Sequence, residues 1–117
     1  MENLTAEQKT QLKATIQTIK DNIKKLEALQ PTYKEKFLVR FGEYNYYSKV
    51  EEPGKGYATM DISHIKIMNY KDAFEVKKVY NEKPQSGIMA EIWVVKNFKQ
   101  KMLAAYRSRL ETFEKYL

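Results

Sequence analysis

The chain contains no cysteine, a single histidine (His64) and a single tryptophan (Trp93), and only Arg40, Arg107 and Arg109 among its cations are arginines. Without cysteine there is neither a disulfide framework nor a thiolate metal site, and the chain suits a reducing compartment. With one histidine besides, a zinc centre lacks its usual ligands. No apolar run approaches the roughly 20 residues that span a bilayer. The opening residues Met1-Glu2-Asn3-Leu4-Thr5 have neither the basic nor the apolar region of an export signal. The expected location is the cytoplasm.

What is present suits one globular domain. The 117 residues are 43% hydrophobic and 31% charged, enough apolar material for a single core. The expected class is α+β, with an N-terminal helix over 5–30, a four-stranded antiparallel meander over 34–95 and a C-terminal helix over 97–116. Thr5 and Gln8 make a capping box ahead of the first helix, and Pro31 ends it. Within it Leu12, Ile16, Ile19, Ile23 and Leu26 recur at 4-3-4-3 spacing, a narrow seam of coiled-coil type.

The helical period then lapses. Phe37, Val39 and Phe41 alternate, and the phase changes beside Gly42, which predicts a bulge. Pro53-Gly54 and Pro84 with Gly87 mark turns between further strand runs: one from Tyr57 to Tyr70 with Ile62, Ile65 and Ile67, one on Phe74, Val76 and Tyr80, and one over 88–95. Asn97 and Gln100 offer a second capping box, and Leu103, Tyr106, Leu110, Phe113 and Leu117 repeat the seam. Two seams of similar length predict that the terminal helices pair, within one chain or between two, and point to a homo-oligomer.

The residues that catalysis needs do not gather. On a strand, Ser63 and His64 face opposite sides, so a triad with Asp61 does not form. Glu51, Glu52, Asp61 and Asp72 have no calcium-loop spacing. Gly54-Lys55-Gly56 lacks the spacing of a P-loop and reads as a hairpin turn. No enzyme, no metal and no cofactor are expected.

Charge points to a binding role. The net charge is +6, and from residue 96 onward six basic residues meet two acidic ones. Lys96, Lys99 and Lys101 crowd the start of the last helix, against its macrodipole, as an anion site would. With Arg107, Arg109 and the turn residue Lys55, they are the candidate contacts to an anionic ligand, a nucleic acid or nucleotide. Tyr44, Tyr46 and Tyr47 are the candidate base-stacking residues. The alternative is a protein-interaction or inhibitor module. Short, cysteine-free, lysine-rich chains of this kind suit accessory proteins of phages and mobile elements, including those that block a host defence system.

Overall fold

A computed structural model describes residues 4–54 and 56–117. Helix α1 (Ala6–Ala28) begins with the expected capping box. The Gln8 backbone N–H donates to Thr5 Oγ1 at 3.1 Å, and the Thr5 N–H donates to Gln8 Oε1 at 2.9 Å. Four antiparallel strands follow: β1 (Phe37–Phe41), β2 (Asn45–Glu52), β3 (Gly56–Thr59) and β4 (Ala90–Val94). The chain closes with helix α3 (Val95–Glu114). The class is the expected α+β, with a helix on each side of a four-stranded antiparallel sheet in the chain order.

The sheet is not a meander. Its spatial order is β3-β2-β1-β4, because β4 returns to pair with β1 from Phe37↔Val94 to Phe41↔Ala90. That is a Greek-key order. The run on Phe74, Val76 and Tyr80, expected to be a strand, is helix α2 (Tyr70–Glu82). Asn69 caps it, its Oδ1 accepting from the Asp72 N–H at 2.8 Å. The inward residues are Ala73, Val76 and Tyr80, at helical spacing, while Phe74 faces out. Two alternating apolar residues had masked a three-four period.

Gly42 does not sit in a bulge. It lies in the turn between β1 and β2 with φ +76°, a conformation that glycine adopts without strain. Of the expected strand run from Tyr57 to Tyr70, only the start is strand, as β3; the part carrying Ile62, Ile65 and Ile67 is not. Residues Ile62–His64 form a 3-10 turn, and the extended chain beyond makes only single bridges, Ser48↔Ile65 and Phe37↔Met68. It wedges between β1 and β2, which pair directly only at Arg40↔Tyr46 and Phe41↔Asn45. Burial explains the wedge. Ile65 joins a core with Leu26, Leu38 and Phe98, whereas Met68 joins a second core with Val39 and Ala73. Leu38 and Val39 are adjacent and both wholly buried, since the sheet is covered on both faces.

Helix α3 starts two residues before the expected point. It runs straight on from β4, the Val95 N–H donating to Lys36 O at 2.8 Å, and Val94 caps it without a side-chain bond. The Asn97–Gln100 box therefore does not form. Burial of Val95 and Phe98 turns the chain from strand to helix at this point. Helices α1 and α3 pack against each other within the chain. They run antiparallel: Lys99 reaches Glu27 at one end, and Leu12 lies by Phe113 at the other. The seams predicted for an oligomer thus meet in cis. Ile16, Ile19 and Leu26 are buried; Leu12, Ile23, Leu103, Tyr106, Leu110 and Phe113 are half-buried. The molecule measures 52 × 32 × 22 Å. Its radius of gyration, 16.8 Å, exceeds the roughly 13 Å of a compact domain of this length. No helix among the described residues is long and apolar enough to cross a membrane.

A polar latch joins the wedge to α1 and to β2. Asp61 Oδ1 accepts from Ser63 Oγ at 2.7 Å and from the Ser63 N–H at 2.9 Å, and pairs with Lys25 Nζ at 3.1 Å. These donors, the Ser63 hydroxyl first, outweigh partial burial and hold the Asp61 carboxyl down at about 2, below its ordinary 3.8. A depressed acid stabilises the fold above its unfolded value and loses that contribution as pH falls through its folded value. Asp61→Asn is expected to cost about 1 kcal/mol at neutral pH, after allowance for solvent screening. Urea melts of both proteins should show that difference at pH 7 and little of it near pH 2.

Candidate functional site

The candidate surface grows from one cross-strand row. Arg40 on β1 stands opposite Tyr46 on β2 and opposite Glu91 on β4. Side chains directly opposite in a sheet share a face, so Arg40 lies on the side that α3 covers. Trp93, two residues after Glu91, comes up on the same face. The Arg40 guanidinium lies 5.6 Å from the Trp93 ring centroid, and Lys101 Nζ, from α3, lies 5.1 Å from it. One turn and more beyond, Arg109 sits 5.7 Å from the Tyr106 ring. Tyr44, Tyr46, Tyr106 and Arg109 line a cavity of about 200 Å³ with Met102 and Asn22.

Among the described residues, no carboxylate lies within ion-pair distance of Arg40, Lys101 or Arg109. Arg40 Nη2 donates to Glu43 O at 2.8 Å, while its Nε is shut off from solvent with no hydrogen-bond partner among the described residues. Glu91 is the nearby acid, and it accepts from Trp93 Nε1 at 3.2 Å. Burial pushes the Tyr46 phenol above its ordinary pKa, with Arg40 pulling the other way. The result is an aromatic wall edged by three cations, an arrangement that suits a ligand carrying both negative charge and flat rings.

The predicted contacts do not form one surface. Lys101 and Arg109 join the flank just described. Lys99 does not: its Nζ donates to Glu27 O at 3.4 Å, at the C-terminal end of α1. A lysine there favours the α1 dipole, which offsets its poor position at the start of α3. Lys96 and Arg107 are exposed and eleven residues apart, so they share a different strip of α3. Lys55 lies outside the described residues.

The tyrosines divide likewise. Tyr44 is 67% exposed beside the site. Tyr46 is only 3% exposed, edge-on to Phe98 at 5.3 Å, so it is a core residue and not a stacking platform. Tyr47 points to the other face, stacked on Tyr57 at 5.9 Å with Lys66 6.0 Å from its ring. Neighbours on a strand alternate faces, and no base could bridge the pair. Sequence reasoning missed Arg40 and Trp93 as partners, and placed Tyr106 only in the seam. The available signal was that Arg40 stands alone among lysines on a strand; its pairing with β4 was not legible.

His64 and Ser63 occupy a 3-10 turn, not a strand. The Ser63 hydroxyl is held by Asp61, and His64 Nδ1 lies 2.8 Å from Glu52 Oε1. Among the described residues no group of three or more His, Cys, Asp or Glu side chains is placed to hold a metal. In comparisons with known proteins, the chain matches no family model, no curated protein and no solved structure.

Proposed function

We propose that this chain is a non-catalytic binding protein that holds an anionic ligand with aromatic rings, a nucleic-acid strand or nucleotide, on the flank formed by Arg40, Tyr44, Trp93, Lys101 and Arg109. One observation carries the reading: three cations border aromatic rings there, without a carboxylate partner among the described residues. Stacking supplies sequence-tolerant contact and the cations neutralise phosphate. A basic, cytoplasmic protein belongs to the same reading.

Trp93 is the sole indole, so its emission reports this flank alone. Titration with single-stranded oligonucleotide is expected to quench it saturably. Three phosphate contacts give a slope of about −2 in log K against log salt, roughly a twenty-fold loss between 50 and 200 mM. Emission unchanged by oligonucleotide and nucleotide alike, or binding indifferent to salt, would falsify the reading.

A second reading, the protein-interaction or inhibitor module, has its own surface. A cavity of about 530 Å³ is lined by Phe41, Tyr57, Met60, Tyr80 and Ile88, and Tyr57, Met60 and Ile88 are substantially exposed. Exposed apolar grooves of this kind mark protein contacts. Under this reading Ile88→Asp removes target binding and leaves any Trp93 quenching untouched.

A further inference from the structure

The half of α1 farthest from the sheet carries more uncharged surface than its pairing with α3 uses. At 100° per residue, every charged side chain of α1 falls in one arc of roughly 160°, and the remaining arc of roughly 200° carries none along the whole helix. A helix packed on one neighbour needs a stripe of about 100°. The surplus is a strip on which Gln8, Gln11 and Thr15 are exposed, in a chain that is 31% charged. Across from it, α3 and the residues after it present Thr112, Phe113 and Tyr116, with Arg109 of the ligand flank one turn nearer the sheet on the same side. Leu4, Gln8, Leu12, Thr15, Phe113 and Tyr116 line a shallow groove of about 360 Å³ between the helices. The hydroxyls are already satisfied: Thr15 donates to Gln11 O and Thr112 to Ser108 O, each at 3.0 Å. Covering them forfeits little hydration.

We infer that a second copy of this chain covers this groove, two hairpins of α1 and α3 meeting about a two-fold axis as a four-helix bundle. Depletion of lysine and carboxylates beside aromatic residues is the composition of an interface centre, not of a solvated face. A two-helix hairpin is self-complementary under a two-fold, since each α1 meets the other copy's α3. The free arm, about 22 Å long and two helices wide, offers roughly 450 Å² per copy, about 900 Å² for the pair. That is the size of a reversible contact, so the dimer exchanges with monomer at micromolar concentration. The groove differs from the seam itself, whose apolar residues are spent between α1 and α3, and the inference does not depend on the ligand reading.

Sedimentation velocity on the full chain tests it, from about 1 to 300 µM. The wild type is expected to shift from monomer to dimer across that range. Gln11→Lys with Thr15→Lys should raise the dissociation constant at least tenfold, with an unchanged circular dichroism spectrum. Both positions are exposed in the single chain, so lysine there does not disturb its fold. A wild type that stays monomeric overturns the inference. So does a dimer that the double substitution leaves intact.

Discussion

Phe98→Ala is expected to lower stability by about 4 kcal/mol and the melting temperature by roughly 15 °C. Phe98 is 1% exposed, and its ring meets Tyr46 edge-on at 5.3 Å and Trp93 at 6.3 Å. It sits where the strand β4 becomes helix α3, so it ties the sheet to the helical layer. Truncation removes a large apolar side chain and leaves a cavity that the sheet and both helices resist closing. Against a total of about 5–15 kcal/mol, such a loss is severe. Thermal melts followed by circular dichroism measure it. Phe74→Ala makes the control: Phe74 lies on the outer side of α2, and the cost there should stay under about 1 kcal/mol. Equal costs at the two positions would contradict the packing described.

Lys101→Glu with Arg109→Glu is expected to weaken oligonucleotide binding about 100-fold, with the fold retained. Both side chains are exposed, and neither has a carboxylate partner among the described residues, so no native ion pair is lost. Under the proposed reading, each change removes one phosphate contact and sets a carboxylate against the anionic strand. Lys96→Glu with Arg107→Glu alters the same number of charges on the other strip of α3 and should cost less than about threefold. Trp93 quenching titrations on the two variants decide the matter. If both pairs weaken binding equally, the attraction belongs to the net charge of +6 and not to a built site.

Local rules carried part of this architecture. Thr5 and Gln8 close the first helix in the way their side chains require, and Pro31 confines its end. The seam spacing from Leu12 to Leu26 and from Leu103 to Phe113 determined that these helices pair, because apolar residues at that period leave one stripe to bury. The α+β class, the strands β1 and β4 and the turns at Pro53-Gly54 and Pro84 were legible for the same reason: each depends on residues close in the chain.

The candidate site was not legible, because its parts are held by pairings distant in sequence. Arg40 and Trp93 meet only since β4 lies beside β1, and that placement depends on α2, whose period two alternating residues concealed. The same pairing buries Tyr46, turns Tyr47 to the opposite face and brings Lys101 over the indole. Lys99 has the same chemistry as Lys101 and lies two positions away. A helical step of 200° sends it instead to the end of α1. Residue type and period determined which elements form and which faces are buried. Which cations stand free around an aromatic wall was decided only by the strand order and by the angle at which α3 leaves the sheet, since charge acts through space and not along the chain.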